Sequence, residues 1–257
     1  MTDTYKIKMK ITTCDSDTLY IPIARGVINW SIEGKKLNRD RYIDNYDNQY
    51  ISISIKPKES ITLFREVGVY PPKPDINPNR CLGNNERFCK WREDGYIQKS
   101  CCKDIWVSDR DKVLKYINSI KKIRYSYPRT KYEYTDEVLE NELPQDCLGY
   151  HGTLCAMLRC SGIPSVVDIG FRLTGDDKPH VWLWYYDRQE RDWSTVDIND
   201  SIIGESINLP RMSVTLGTTH NINSHTVSYV QYFVSEKMLK GELKNGYKVE
   251  HKIIGWN

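Results

Sequence analysis

The chain has 257 residues, 28% charged and 39% hydrophobic, a globular composition with room for one large domain or a core with a smaller companion. Its 37 basic and 34 acidic residues leave a formal charge of +3, which excludes the strong basic imbalance of a nucleic-acid or membrane-surface protein. No run approaches about eighteen apolar residues, and the opening "MTDTYKIKMKITTCDSD" lacks the apolar stretch of a signal peptide, so a cytoplasmic location is expected.

Residues 1–75 read as an N-terminal β-sandwich. Tyr5, Ile7, Met9 and Ile11 alternate with polar neighbours, as do Ile28, Trp30 and Ile32, then Ile51, Ile53 and Ile55. A period of two sends each set to one face of a sheet. "YPPKPDINPNR" (70–80) holds four prolines, and residues 76–104 are expected to form a Pro/Cys-rich linker or a strap across a surface. Cys81, Cys89, Cys101 and Cys102 fall there without any CxxC pair. Disulfides, an irregular zinc site and thiols all stay open, although adjacent Cys101 and Cys102 are not expected to bond to each other.

Residues 105–257 are expected to form an α+β core with the C-terminal strands. Ser108 and Asp111 imitate a capping box before the apolar stripe Val113, Leu114, Ile117 and Ile120, predicting a helix over 108–121. Thr135 is expected to cap a short helix through "DEVLEN". In "LPQDCLGYHGTLCAMLRCSGIP" (143–164) Asp146 is the expected N-cap, Gly162 the left-handed terminator, and Pro164 a block to continuation. "SVVDIGFRL", "HVWLWYY", "WSTVDI", "MSVTL" and "VSYVQYFV" follow as strands.

Three residues carry the candidate chemistry. Cys147 opens the helix, where unpaired N–H groups and the helix dipole favour a thiolate, whereas Cys155 and Cys160 read as small buried apolar groups. His180 begins one strand and Asp197 ends the next, across the loop at 187–192. Antiparallel pairing sets them opposite or one diagonal step apart on one face, with Cβ atoms about 5 or 7 Å apart. A competing reading takes Cys147, His151 and Cys155, spaced by four, as zinc ligands with His180, although that spacing matches structural zinc sites poorly. Trp182, Trp184 and Tyr186 share the parity of His180 and are expected to pack on the cysteine helix or to wall the cleft. Tyr125 or Tyr127 could supply an oxyanion donor beside the Cys147 amide.

The order "DCLGYHGTLCAMLRCSGIPSVVDIGF", "PHVWLWYYD", "WSTVDI" resembles the transglutaminase-like superfamily of papain-like cysteine enzymes over about residues 108–205. The elements of likeness are Cys147, Tyr150, Gly162-Ile163-Pro164, His180 with Trp182, and Trp193 with Asp197. The resemblance implies a papain-like core, with a preceding sandwich similar to that of many bacterial members. It also implies Cys147 as nucleophile, His180 as general base and acid, and Asp197 as the orienting carboxylate. The implied reaction is acyl transfer through a thioester on a peptide, protein or amide substrate, hydrolysis being favoured over transamidation, with no metal or other cofactor. The chain departs from the pattern at Gln145, where glycine is common, at Trp184, where an acid is common, and at Ile198, where proline is usual. Position 151 usually holds a small residue. A non-catalytic binding protein on the same fold is the alternative, as is a glycan-releasing amidase akin to the peptide N-glycanases.

Overall fold

The computed structural model describes residues 4–33, 41–68, 70–101, 107–173, 178–204, 211–222, 225–228, 233–235, 238 and 247–256. Strands β1 (Thr4–Thr13), β2 (Asp17–Pro22), β3 (Val27–Glu33), β4 (Arg41–Ile43), β5 (Gln49–Ile55) and β6 (Ser60–Gly68) open the chain. Helices α1 (Tyr96–Cys101), α2 (Asp109–Ile120), α3 (Thr135–Glu140) and α4 (Cys147–Cys160) follow. Strands β7 (Ser165–Arg172), β8 (Pro179–Asp187), β9 (Asp192–Asp197), β10 (Ile202–Gly204) and β11 (Arg211–Leu216) complete the core. The remaining strands are β12 (Thr219–Ile222), β13 (His225–Ser228), β14 (Val234–Ser235) and β15 (Tyr247–Trp256). The fold is α+β, and among the described residues no helix is long and apolar enough to cross a membrane.

Two antiparallel sheets, ordered β15-β1-β6-β3 and β14-β2-β5-β4, enclose Met9, Ile11, Leu19, Ile21, Ile53 and Leu63. Every second side chain of β1 is buried, as its period of two requires. Two expectations change here. The last strands were expected with the core at 105–257, but β15 pairs along β1 and β14 pairs with β2. The outer edge of β1 would otherwise expose a row of unpaired amides, and the returning chain covers it. Ile28 was expected to share one face of a sheet with Trp30 and Ile32, yet it is 60% exposed while they are half-buried. The register slips between Val27 and Asn29, so Ile28 lies at a bulge that breaks the alternation.

The second unit is the antiparallel sheet β10-β9-β8-β7-β11 with α4 on one face. Ser108 caps α2 by accepting from the Asp111 N–H, and Asp146 caps α4 by accepting from the Gly149 N–H. Gly162 takes φ +75° at the end of α4, a conformation costly for residues with a Cβ. Thr135 differs from expectation: it lies inside the first turn of α3, with Tyr134 as N-cap and its own hydroxyl donating to the Lys90 carbonyl.

Val181, Leu183 and Tyr185 of β8 point to α4. Trp182 and Trp184 therefore point away from it, and they pack with Tyr46, Ile76, Cys81, Trp193 and Leu216. Expected against the cysteine helix, these tryptophans instead fill the layer beneath the sheet, because both of its faces are covered. The Pro/Cys-rich segment is likewise no surface strap. Phe88, Cys89, Ile97 and Cys101 belong to the core around α4. At Gly152 the approach is so close that a Cβ would stand 2.3 Å from the Phe88 carbonyl oxygen. Cys81, Cys89 and Cys155 stand there as buried thiols, and Cys102 lies outside the described residues.

Candidate active site

The start of α4, the start of β8 and the end of β9 meet at one place. Continuing the register Leu183↔Val196 sets Asp197 across from Trp182, one diagonal step from His180. The side chains join there: His180 Nε2 lies 2.5 Å from Asp197 Oδ2, and both residues are buried. Asp197 Oδ1 accepts the N–H groups of Asn199 and Asp200 at 3.0 and 3.2 Å. Burial would raise the Asp197 carboxyl, but His180, His151 and Arg211 together hold it well below the usual range. An ionised Asp197 takes the proton-bearing Nε2 of His180, which leaves Nδ1 as the unprotonated ring nitrogen.

The Cys147 sulfur sits on the amides of Leu148 and Val181, and the second of these follows His180 directly in the chain. Its acidity runs against expectation. Burial pushes the thiol up to about 12, and Asp146 adds to the rise against the two amides. The carboxylate that caps the helix stands at the same end as the sulfur and offsets the dipole that would favour a thiolate. Asp146 is itself held by Arg129, whose Nη1 donates to Oδ2 at 2.8 Å. At rest Cys147 therefore holds its proton.

His151 does not act as a ligand row with Cys147 and Cys155. Its Nε2 accepts the Ile198 N–H at 3.0 Å, so Nδ1 carries the proton and donates to the Cys147 carbonyl at 2.7 Å. The Cys155 thiol points to Ser165. His151 thus pins the first turn of α4 to the end of β9. This bridge also accounts for two of the departures together, because a proline at 198 would have no N–H to give. Gln145 donates from Nε2 to the Thr130 carbonyl, and Trp184 donates from Nε1 to Asp168.

Burial pushes the His151 ring down to about 4, against the attraction of Asp197. Above about pH 6.5 the ring is neutral in both folded and unfolded chains; as pH falls toward 4 only the unfolded chain takes the proton, and stability is lost. A variant His151→Gln is expected to remove roughly 3 kcal/mol of that acid dependence. Thermal denaturation from pH 7.5 to 4.5 checks this, and parallel curves for variant and wild type would refute it.

Three site residues gave no signal of their role in the sequence. Arg211 of β11 is fully buried, and its Nη2 binds Asp197 Oδ2 at 2.7 Å and Asp200 Oδ2 at 2.5 Å. Arg172 of β7 donates from Nη2 to Asp200 Oδ1 at 2.7 Å and lies 3.4 Å from His180 Nε2. Arg211 and Arg172 are cross-strand partners, a pairing invisible before the register is known. Asp200 sits in "DIND", which reads only as a turn. His180, Asp197 and Asp200 bring three metal-type ligand atoms within 4.8 Å of one another, but two guanidinium groups already neutralise those carboxylates, a poor setting for a further cation.

Tyr125 and Tyr127 separate clearly. The Tyr125 phenol oxygen meets the Cys147 N–H, and its ring stands edge-on to Tyr150 at 5.8 Å. Burial, then Cys147 and Asp146, raise the phenol above its ordinary value, so it keeps its proton and can donate. Tyr127 is 84% exposed.

The profile of the transglutaminase-like superfamily matches residues 105–198. None of the curated proteins matches the chain. Among solved structures, a provisionally assigned cysteine protease from Cytophaga hutchinsonii superposes with a TM-score of 0.63 at 10% identity, covering 99% of this chain and 92% of that one. The periplasmic domain of TgpA from Pseudomonas aeruginosa gives 0.48 at 12%, over 77% and 88% of the two chains. Calcium-bound LapG from Legionella pneumophila gives 0.36 at 14%, over 51% and 74%. At such identities the likeness is one of fold. The profile match falls on the segment that carries Cys147, His180 and Asp197, and over residues 105–198 the chain is similar to the transglutaminase-like superfamily.

Proposed function

We propose that the protein is a cysteine-dependent amide or peptide hydrolase. The observation that carries this reading is the His180–Asp197 pair at 2.5 Å beside a thiol seated on the Val181 amide. In this reading His180 Nδ1 takes the Cys147 proton as sulfur bonds to the substrate carbonyl carbon. The Tyr125 hydroxyl, whose oxygen accepts the Cys147 N–H at rest, donates its proton to the oxyanion. Collapse breaks the C–N bond, the amine leaves with the proton from His180, and a thioester remains on Cys147. Water, deprotonated by His180, releases the acid and restores the thiol. An amine in place of water gives transamidation, and product analysis with an added primary amine distinguishes the two.

The thiol pushed up to about 12 favours a second reading, a binding protein that keeps the fold without turnover. An activated ester separates the two. With p-nitrophenyl acetate, the hydrolase reading expects a burst of about one equivalent of nitrophenol, with the acetyl group found on the Cys147 peptide after acid quench. Acetylation confined to exposed Cys14 would leave only the binding reading.

A further inference from the structure

We propose that Cys89 and Cys155 close to a disulfide that clamps the segment before the core onto the helix carrying Cys147. This goes beyond the hydrolase reading and does not depend on it. The segment runs along one face of α4, where its contacts fall at Gly152, Cys155 and Arg159, spaced by three and four residues as a single helix face requires. At Gly152 the Phe88 backbone lies directly on the helix, in space that a Cβ would occupy. At Arg159, Nη1 donates to the Gly83 carbonyl at 3.0 Å and pairs with Glu86. Cys155 stands between these anchors, and the Cys89 thiol donates to its sulfur. The backbone around Cys89 is held on both sides. Its N–H donates to the Glu86 carbonyl at 3.0 Å, and the Lys90 carbonyl accepts the Thr135 N–H and hydroxyl, both at 2.8 Å.

Two sulfurs already within hydrogen-bonding reach need side-chain rotation, not backbone movement, to shorten to a bond of about 2.05 Å. Cys155 would give up contacts with the Ser165 carbonyl and hydroxyl at 3.6 and 3.4 Å, which are weak ones for sulfur. Both thiols are fully buried once the segment has docked. The oxidant, a low-molecular-weight disulfide such as oxidised glutathione, therefore acts before docking is complete. The Cys155 thiolate bonds to one glutathione sulfur and expels the other. Docking brings Cys89 to this mixed disulfide, where its sulfur bonds to that of Cys155 and displaces the second glutathione. One S–S bond breaks in the oxidant and one forms in the chain, and the two cysteine protons end on two glutathione thiols. Cys81 packs in the neighbouring layer with Trp182 and Trp184 and serves as the control.

The test refolds the reduced protein with reduced and oxidised glutathione, blocks remaining thiols with N-ethylmaleimide in denaturant, and maps peptides without reduction. Most molecules are expected to carry one linked pair, the Cys89 peptide joined to the Cys155 peptide. Their Tm should exceed that of the fully reduced protein by roughly 5–15 °C, because the bond closes a long loop. Cys89→Ser should lose both the link and the difference in Tm between redox states, and Cys81→Ala should keep both. The wild-type map decides the case alone if Cys89→Ser does not fold. Recovery of Cys89 and Cys155 as maleimide adducts, or a link from either to another cysteine, would overturn the proposal. So would a linked protein that melts no higher than the reduced one.

Discussion

Replacing His180 with alanine is expected to slow acylation of Cys147 by about 10³-fold or more, equivalent to roughly 4 kcal/mol of barrier. The size follows from the state of the thiol. Burial pushes the thiol up to about 12, so little of it is ionised at pH 7 and the hydrolase reading does not rest on a preformed thiolate. In the hydrolase reading the proton leaves in the attacking step, and the His180 imidazole, fixed through Nε2 by Asp197, is the base proposed to take it. Without it only water remains. The measurement is the burst rate with p-nitrophenyl acetate for wild type and His180→Ala, with circular dichroism confirming the fold. Partial rescue by added imidazole is expected. A variant within about tenfold of wild type would remove His180 from the mechanism.

Local chemistry was legible before the structure, and long-range chemistry was not. Asp146, Gly162 and Pro164 bound α4 through hydrogen bonds and dihedrals made within a few residues, so their types alone marked its ends. His180 and Asp197 could be paired because a short hairpin leaves few registers. Arg211 joins Asp197 only after β11 has crossed to the edge beside β7, and nothing in "PRMSVTL" distinguishes its arginine from a strand-end surface residue. His151 was visible by its spacing from Cys147. Its partners are backbone groups, one of them 47 residues away, and backbone groups leave no mark in a sequence.

The same limit explains the errors of layer. Trp182 and Trp184 had the right parity, but which face met α4 depended on the sandwich and the segment around Ile76 and Cys81 closing the other side. That segment contains no long periodic run, so its burial was illegible. Arg25 helps to hold the sandwich on the core, donating from Nη2 to the Pro72 and Lys73 carbonyls and from Nη1 to Asp168 of β7 at 3.4 Å. Such contacts are set by tertiary geometry alone.

The segment before the core is fastened by a buried ion pair whose loss should be the largest stability effect in the molecule. Glu86 Oε1 lies 2.5 Å from Arg159 Nη1, and both side chains are buried. Thr218 donates to Glu86 from its N–H and its hydroxyl, as does the Tyr46 hydroxyl, while Arg159 Nε donates to the Ser165 carbonyl at 2.9 Å. Burial alone would raise the Glu86 carboxyl, but Arg159 and these donors more than offset it and hold it low. Glu86→Gln keeps the volume and strands a guanidinium in the core, at an expected cost of about 3–5 kcal/mol or roughly 6–20 °C in Tm. The ion pair contributes fully above the unfolded carboxyl value of about 4.3 and is lost as pH falls through the lower folded value, so the deficit should shrink below about pH 4. Adding Arg159→Met should recover part of the loss, because no unpaired charge then remains. Thermal melts of the three proteins from pH 7 to 3.5 decide the matter, and a drop in Tm below about 2 °C at pH 7 would refute the assignment. Arg159 stands twelve residues along α4 from Cys147, about 18 Å at the helical rise. Labelling of Cys147 in Glu86→Gln, measured well below its transition, should therefore match wild type, separating what holds the helix from what the helix presents.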